Sequence, residues 1–276
     1  MSTTGPRATR QRRRPRPPAL LLAGLCALIL VSGCGGSGKA GTVFGPPQSM
    51  GNGSIRSFVT LDPAGNPTEV GLRLTATALD GLPAEDTVPP TMTMLELPAP
   101  ASATVFDHIM LNWNSHGHPP AVLFGKPHFD FHFYLADAAS VMAINPAAPD
   151  FVVRAAHLPE PKYVPRDYVP DPLPPAQAAV PAMGLHWLDS TEGFATGSYD
   201  FTHTFINGSW DGRYTFMEPM LTREWLLKKE SVRQDIKQPA AYQRGGYFPT
   251  VYSVHFDDSA KEYVVSLGGL VRRDVS

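Results

Sequence analysis

In the stretch His128-Phe129-Asp130-Phe131-His132-Phe133-Tyr134, imidazoles and a carboxylate alternate with phenyl rings. Imidazoles and carboxylates are the groups that bind divalent metal ions or move protons. Phenyl rings need a core. In a β-strand successive side chains point to opposite faces. His128, Asp130, His132 and Tyr134 therefore share one face, and Phe129, Phe131, Phe133 and Leu135 the other. Burial of the aromatic face contributes about 1.5–3 kcal/mol per phenylalanine.

An upstream stretch has the same duality: Phe106, His108, Met110 and Asn112 alternate with Asp107, Ile109, Leu111 and Trp113. If the two strands pair, their apolar faces must coincide, because a slip of one residue would turn every imidazole into the core. His108 and Asn112 then join His128, Asp130 and His132. The connecting segment adds His116-Gly117-His118-Pro119-Pro120, so five of the nine histidines fall between positions 108 and 132.

Geometry limits how these groups can share an ion. At about 3.3 Å per residue, the α-carbons of His128 and His132 are about 13 Å apart in a straight strand. Both rings would struggle to reach one metal at about 2.0–2.1 Å unless a bend or bulge draws them together. His128 with Asp130, Asp130 with His132, or His116 with His118 in an extended segment could share an ion, and the site completes itself from elsewhere. The candidate metal ligands are His116, His118, His128, Asp130, His132, His186 and Glu218, not all on one ion. Glu218 stands among Phe216, Met217 and Met220, where an unpaired carboxylate is costly. His186, in Gly184-Leu185-His186-Trp187, has a similar claim, although a lone histidine is more often a hydrogen-bonded core residue. A mixed nitrogen and oxygen set suits zinc, iron, copper or manganese. Against the metal stand two plainer readings, a satisfied polar network and a solvated face without function. His157, His203 and His255 are scattered and take no role.

The elements that must position these residues are mostly β. Ile55 to Leu61, Thr68 to Ala78, Thr91 to Leu97, Val105 to Trp113 and Pro127 to Leu135 read as strands, as do Gly197 to Ile206, Gly212 to Met217, Thr250 to Phe256 and Glu262 to Leu267. Asp62-Pro63-Ala64-Gly65-Asn66-Pro67 and Asp257-Asp258-Ser259 are turn signals. Leu221 to Lys229 is the one short helix, with Thr222 placed to cap it and lysines at its end. Residues 157–182 hold eight prolines; this density predicts a long loop without regular structure. The expected fold is mainly β, an antiparallel sandwich or barrel with one helix near 221–229.

The N-terminus reads differently. Six arginines precede an apolar run of 13 residues, Ala19 to Val31, which suits a signal peptide. The run ends in Leu30-Val31-Ser32-Gly33-Cys34, which resembles the lipobox of bacterial lipoproteins. The resemblance implies cleavage before Cys34 and lipid on its sulfur. The expected layout is a signal over 1–33, a Gly/Ser/Pro tether over 34–53 and one domain over 54–276. Cys26 leaves with the signal, so the domain has no disulfide and no catalytic cysteine. No Gly-x-Ser-x-Gly elbow occurs either. Removal of residues 1–33 leaves 17 basic against 25 acidic residues, a net charge of −8. That balance argues against a nucleic-acid partner. Membrane attachment through Cys34 and a bacterial cell-envelope location are expected.

Asn112-Trp113-Asn114-Ser115-His116-Gly117-His118-Pro119 followed by Pro127 to Tyr134 resembles a family of secreted bacterial proteins of unknown function, some of them lipoproteins. Gly184 to Trp187, Gly208-Ser209-Trp210-Asp211-Gly212 and Phe216-Met217-Glu218-Pro219-Met220 share the resemblance. It implies a mainly β domain that assembles as a homo-oligomer, and it supplies no activity. Three functions fit the residues. One is a binding module for a metal or small polar ligand. The second is a metal-dependent enzyme with Asp130 or Glu218 as base. The third is a structural envelope protein whose histidines hydrogen-bond in an assembly.

Overall fold

The period-two segments pair into two antiparallel sheets, seen in a computed structural model that describes residues 1–2, 5, 40–85, 91–194 and 199–276. The expected signal peptide and Cys34 lie outside the described residues. Strands are numbered in chain order. The first sheet contains β1 (Gly41–Phe44), β2 (Gln48–Met50), β3 (Gly53–Leu61), β4 (Pro67–Thr75), β12 (Val232–Asp235), β14 (Val251–Asp257) and β15 (Glu262–Gly268). They lie in the order β1-β3-β4-β15-β14-β12, with β2 also on β3. The second contains β5 (Thr91–Glu96), β6 (His108–Asn114), β7 (His128–Tyr134), β8 (Tyr168–Pro170), β9 (Leu185–Asp189), β10 (His203–Trp210) and β11 (Arg213–Thr222), in the order β5-β6-β7-β11-β10-β9-β8. A short pair, β13 (Gly246–Phe248) and β16 (Val271–Arg273), stands apart. Both sheets have free edges, so the architecture is a sandwich and not a closed barrel.

The main core joins the sheets. Ile55, Val70, Leu72 and Leu74 of the first sheet cluster with Ile109, Leu111, Phe129, Phe131 and Phe133 of the second. The register is the one the apolar pattern demands: Ile109 faces Phe133, Leu111 faces Phe131 and Trp113 faces Phe129. The other face of the second sheet is also covered. Phe124 and Phe201 pack there on Ile206 and Met220, while Val141, Ala182 and Met183 pack on Met110, Tyr134 and Phe216. Consequently β6 and β7 are buried along their whole lengths, polar residues included.

Several expectations change. The proline-rich segment 157–182 is not irregular throughout, because it contains β8 and a short helix over Pro175–Ala178. Pro170 sits on the edge strand of its sheet, and Pro175 stands in the first turn of the helix. Neither place needs the missing N–H. Residues 41–50, expected within the tether, form β1 and β2 on β3. Backbone pairing orders β1 although its side chains are exposed. The expected helix over 221–229 is shorter, Arg223–Leu227, because β11 continues to Thr222; Thr222 caps it by accepting from the Trp225 amide. The helix is not alone, since four other short α-helices occur among the described residues. Among the described residues no helix is long and apolar enough to cross a membrane.

Candidate metal centre

Three strands set the polar face. In the β6–β7 pair, Asn112 lies opposite Asp130, Asn114 opposite His128 and Met110 opposite His132. In the β7–β11 pair, Met217 faces Phe133 and Met220 faces Asp130, which brings Glu218 level with His132. On the next strand Ile206 faces Glu218, and Gly208 faces both Phe216 and His186. A Cβ at Gly208 would overlap the Phe216 ring. With no side chain at 208, His186 reaches across to Glu218 from two strands away. Six of the seven candidate ligands assemble into two triads, His118–His128–Asp130 and His132–His186–Glu218. Within each triad the three ligand atoms lie within 4.8 Å of one another. His128 and His132 fall in different triads, in keeping with their separation along the strand. His116 belongs to neither; its Nδ1 meets the Ser115 hydroxyl at 3.1 Å.

In the first triad the backbone fixes the tautomers. The Nδ1–H of His128 donates to the Lys126 carbonyl at 2.6 Å, and that of His118 to the Pro119 carbonyl at 2.8 Å. A carbonyl accepts only, so each ring carries its hydrogen on Nδ1 and turns Nε2 inward. Both inward atoms point at one carboxylate. His128 Nε2 lies 3.1 Å from Asp130 Oδ1, and His118 Nε2 lies 3.7 Å from Oδ2. The Asn114 amide donates to Oδ2 at 2.7 Å, but Oδ1 has no hydrogen-bond donor. Neutral imidazoles would set lone pairs against a carboxylate in a buried space. Only a proton or a metal cation between the atoms removes the conflict. The Asn114 amide also lies 3.4 Å from His128 Nε2. Imidazole bonded through Nδ1–H to a backbone carbonyl, with Nε2 turned inward, is the arrangement of metal-binding histidines. Burial pushes the Asp130 carboxyl up, but His128 and His118 outweigh it and hold it well below the ordinary range. Burial likewise pushes His118 down, and Asp130 outweighs this to raise it.

The second triad is drier. His132 Nε2 lies 3.4 Å from Glu218 Oε1, and His186 Nε2 lies 3.7 Å from Oε2. Neither ring nitrogen of His132 makes a hydrogen bond; the Met110 backbone approaches the ring without the geometry of one. Glu218 Oε2 is unpartnered too. Burial lowers His132 to about 3 and His186 to about 4. Burial, with the charge of Asp130, pushes Glu218 well above its usual range. The rings of His132 and His186 are therefore uncharged near neutral pH.

Asn112 lies on the same face, fully buried, with neither its amide nitrogen nor its oxygen bonded. Unpaired buried polar groups cost about 1–3 kcal/mol each, so these atoms call for a partner: a water, a polar ligand or an ion. His108 stands aside from both triads, stacked on Tyr134 at 4.8 Å and bonded to Asp107. His157 pairs with Asp211, and His203 meets the Tyr252 hydroxyl. Sequence reasoning missed Asn114, whose signal was the continued alternation after Asn112, and the gap at Gly208, which had no signal in the pattern. A cleft of about 520 Å³ opens elsewhere, beside Trp210, Tyr214 and Arg244, and none of the six ligands lines it.

A family model described as TTHB210-like, hypothetical protein TTHB210, matches residues 62–113. The match covers β4, β5 and β6 as far as Trp113 and carries no activity. It stops short of His116 and both triads. No curated protein and no solved structure matches the chain. Over residues 62–113 the chain is therefore similar to an uncharacterised family.

Proposed function

We propose that this protein is a cell-envelope binding module that takes up a divalent transition metal through His118, His128 and Asp130. The observation that carries the reading is the pair of Nδ1–H bonds to the Lys126 and Pro119 carbonyls, which leaves two Nε2 atoms facing the Asp130 carboxylate. Two imidazoles and one carboxylate suit zinc, iron or manganese, with positions left for water or another ligand. Copper is also served by imidazole.

Burial favours binding over turnover of a large substrate. The side chains of His128, His132 and Glu218 are at most 2% exposed, and only His118, at 34%, and His186, at 21%, reach towards solvent. A metal-dependent reaction on a small molecule uses the same ligands and is the second reading. For the location, the basic stretch, the apolar run and Leu30 to Cys34 support export and lipid attachment at Cys34. Cys34→Ala should then move the protein from the membrane to the soluble fraction; a variant that stays with the membrane sinks the anchor.

Metal analysis of the full chain, purified in detergent and without a polyhistidine tag, tests the binding. At least one transition-metal ion per chain is expected, with the content falling in His128→Ala. Protein that holds no metal after incubation with zinc, iron, copper or manganese contradicts the proposal.

A further inference from the structure

We infer that the pocket holds two divalent ions side by side, one in each triad, with Asn112 set to hold a water or hydroxide near them. The inference rests on the metal-binding reading above and extends it. Its first support is that the ligand sets do not overlap: His118, His128 and Asp130 on one side, His132, His186 and Glu218 on the other. Each set has two imidazoles and one carboxylate, the minimum that holds a first-row divalent ion with open positions.

The second support is independent of the first triad. His132 and Glu218 are buried, yet both ring nitrogens and Glu218 Oε2 lack hydrogen-bond partners. An ion bound only to the first triad leaves those atoms unsatisfied. One ion cannot serve both sets, because His128 and His132 are about 13 Å apart along the strand. The sets are nevertheless neighbours. Asp130 and His132 are two residues apart on one face, with α-carbons about 6.6 Å apart.

Asn112 supplies the third support. It faces Asp130 across β6–β7, next to the Met110–His132 pair. Its amide is buried with both atoms unpartnered, although Asp130 lies opposite it. A metal-bound water accepts from the amide nitrogen and donates to the oxygen, which satisfies both. The expected occupants are zinc or another first-row divalent ion, with water as the remaining ligand.

Zinc titration of the full chain after chelator treatment, followed by calorimetry and by metal content after desalting, decides the matter. Two equivalents are expected in the wild type. Glu218→Gln and Asp130→Asn should each bind one, at a different triad, and His186→Gln should behave as Glu218→Gln does. Because His186 is partly exposed, its variant keeps the test usable if Glu218→Gln fails to fold. A single equivalent in the wild type, kept in Glu218→Gln and lost in Asp130→Asn, overturns the second ion and leaves the first reading standing. A single equivalent lost in every variant means one shared ion and also overturns it. Two equivalents that survive in all variants place the ions elsewhere and overturn both readings, as does the absence of binding.

Discussion

His128 Nε2 sits 3.1 Å from Asp130 Oδ1, turned towards the carboxylate because the ring's Nδ1–H bonds the Lys126 carbonyl. Asp130→Asn tests this contact directly. The new amide can donate to Nε2, but the ionic contact that lowers Asp130 and raises His118 is gone, so the metal-free protein should lose some stability near neutral pH. Zinc affinity should fall at least about 100-fold, beyond the 10–100-fold typical of lost outer-shell partners. Guanidinium unfolding with chelator and zinc competition titrations measure the two. A variant that unfolds easily yet binds zinc normally would refute the assignment of Asp130 as ligand.

Asn112→Leu should separate stability from binding. Leucine has nearly the same size and removes two unsatisfied buried atoms. Replacing an unpaired polar group in this way is neutral or stabilising. The metal-free variant should gain about 1–3 kcal/mol, while its second equivalent of metal binds more weakly. Loss of stability on the same substitution would show that Asn112 is already satisfied within the protein.

Acid should weaken the metal-free fold through His132 and His186. Their folded pKa values, about 3 and about 4, lie below the ordinary 6.5. The folded state therefore binds fewer protons than the unfolded chain. The stability tied to each ring is present above pH 6.5 and is lost as pH falls towards the folded value. Each ring contributes about 1.4 kcal/mol per pH unit inside its window. Glu218 acts in the opposite sense, because its raised folded pKa favours the protonated fold. In His132→Gln the loss between pH 6 and pH 4 should shrink by about 1.4 kcal/mol per unit, read from denaturant midpoints. An unchanged slope would mean that His132 titrates normally.

Gly208→Ala should act at a distance from any ligand. The new methyl would overlap Phe216, whose ring lies 4.8 Å from that of His132 and 5.2 Å from that of His186. Overpacking of this kind costs about 1–3 kcal/mol. The variant should melt earlier and lose the second triad's ion while keeping the first. Normal binding of both ions would show that Phe216 gives way freely.

Much of this site was legible before any coordinates. The Phe-x-Phe-x-Phe run fixes which way β7 faces, because three buried rings outweigh any alternative register. That single fact carries His128, Asp130, His132, Asn112 and the direction of β6. Glu218 was conspicuous as a carboxylate among methionines and phenylalanine. What the chain did not reveal is the pairing of distant strands. β9, which carries His186, has five residues and follows the proline-rich segment, so its pattern is too short to read. The contact of His186 with Glu218 depends on a missing side chain at Gly208, which appears only when three strands are set in register. The early β1 was hidden because exposed side chains leave no periodic signal, and β2 because three residues with one buried side chain, Met50, are too few to show one.

Crystals grown with zinc and measured at its absorption edge test the central claim most directly. The anomalous map should show a peak about 2.0–2.2 Å from His118 Nε2, His128 Nε2 and an Asp130 carboxylate oxygen, with both Nδ1 atoms still bonded to the Lys126 and Pro119 carbonyls. A zinc-soaked crystal with no peak there, or with either ring turned so that Nδ1 faces Asp130, would contradict it.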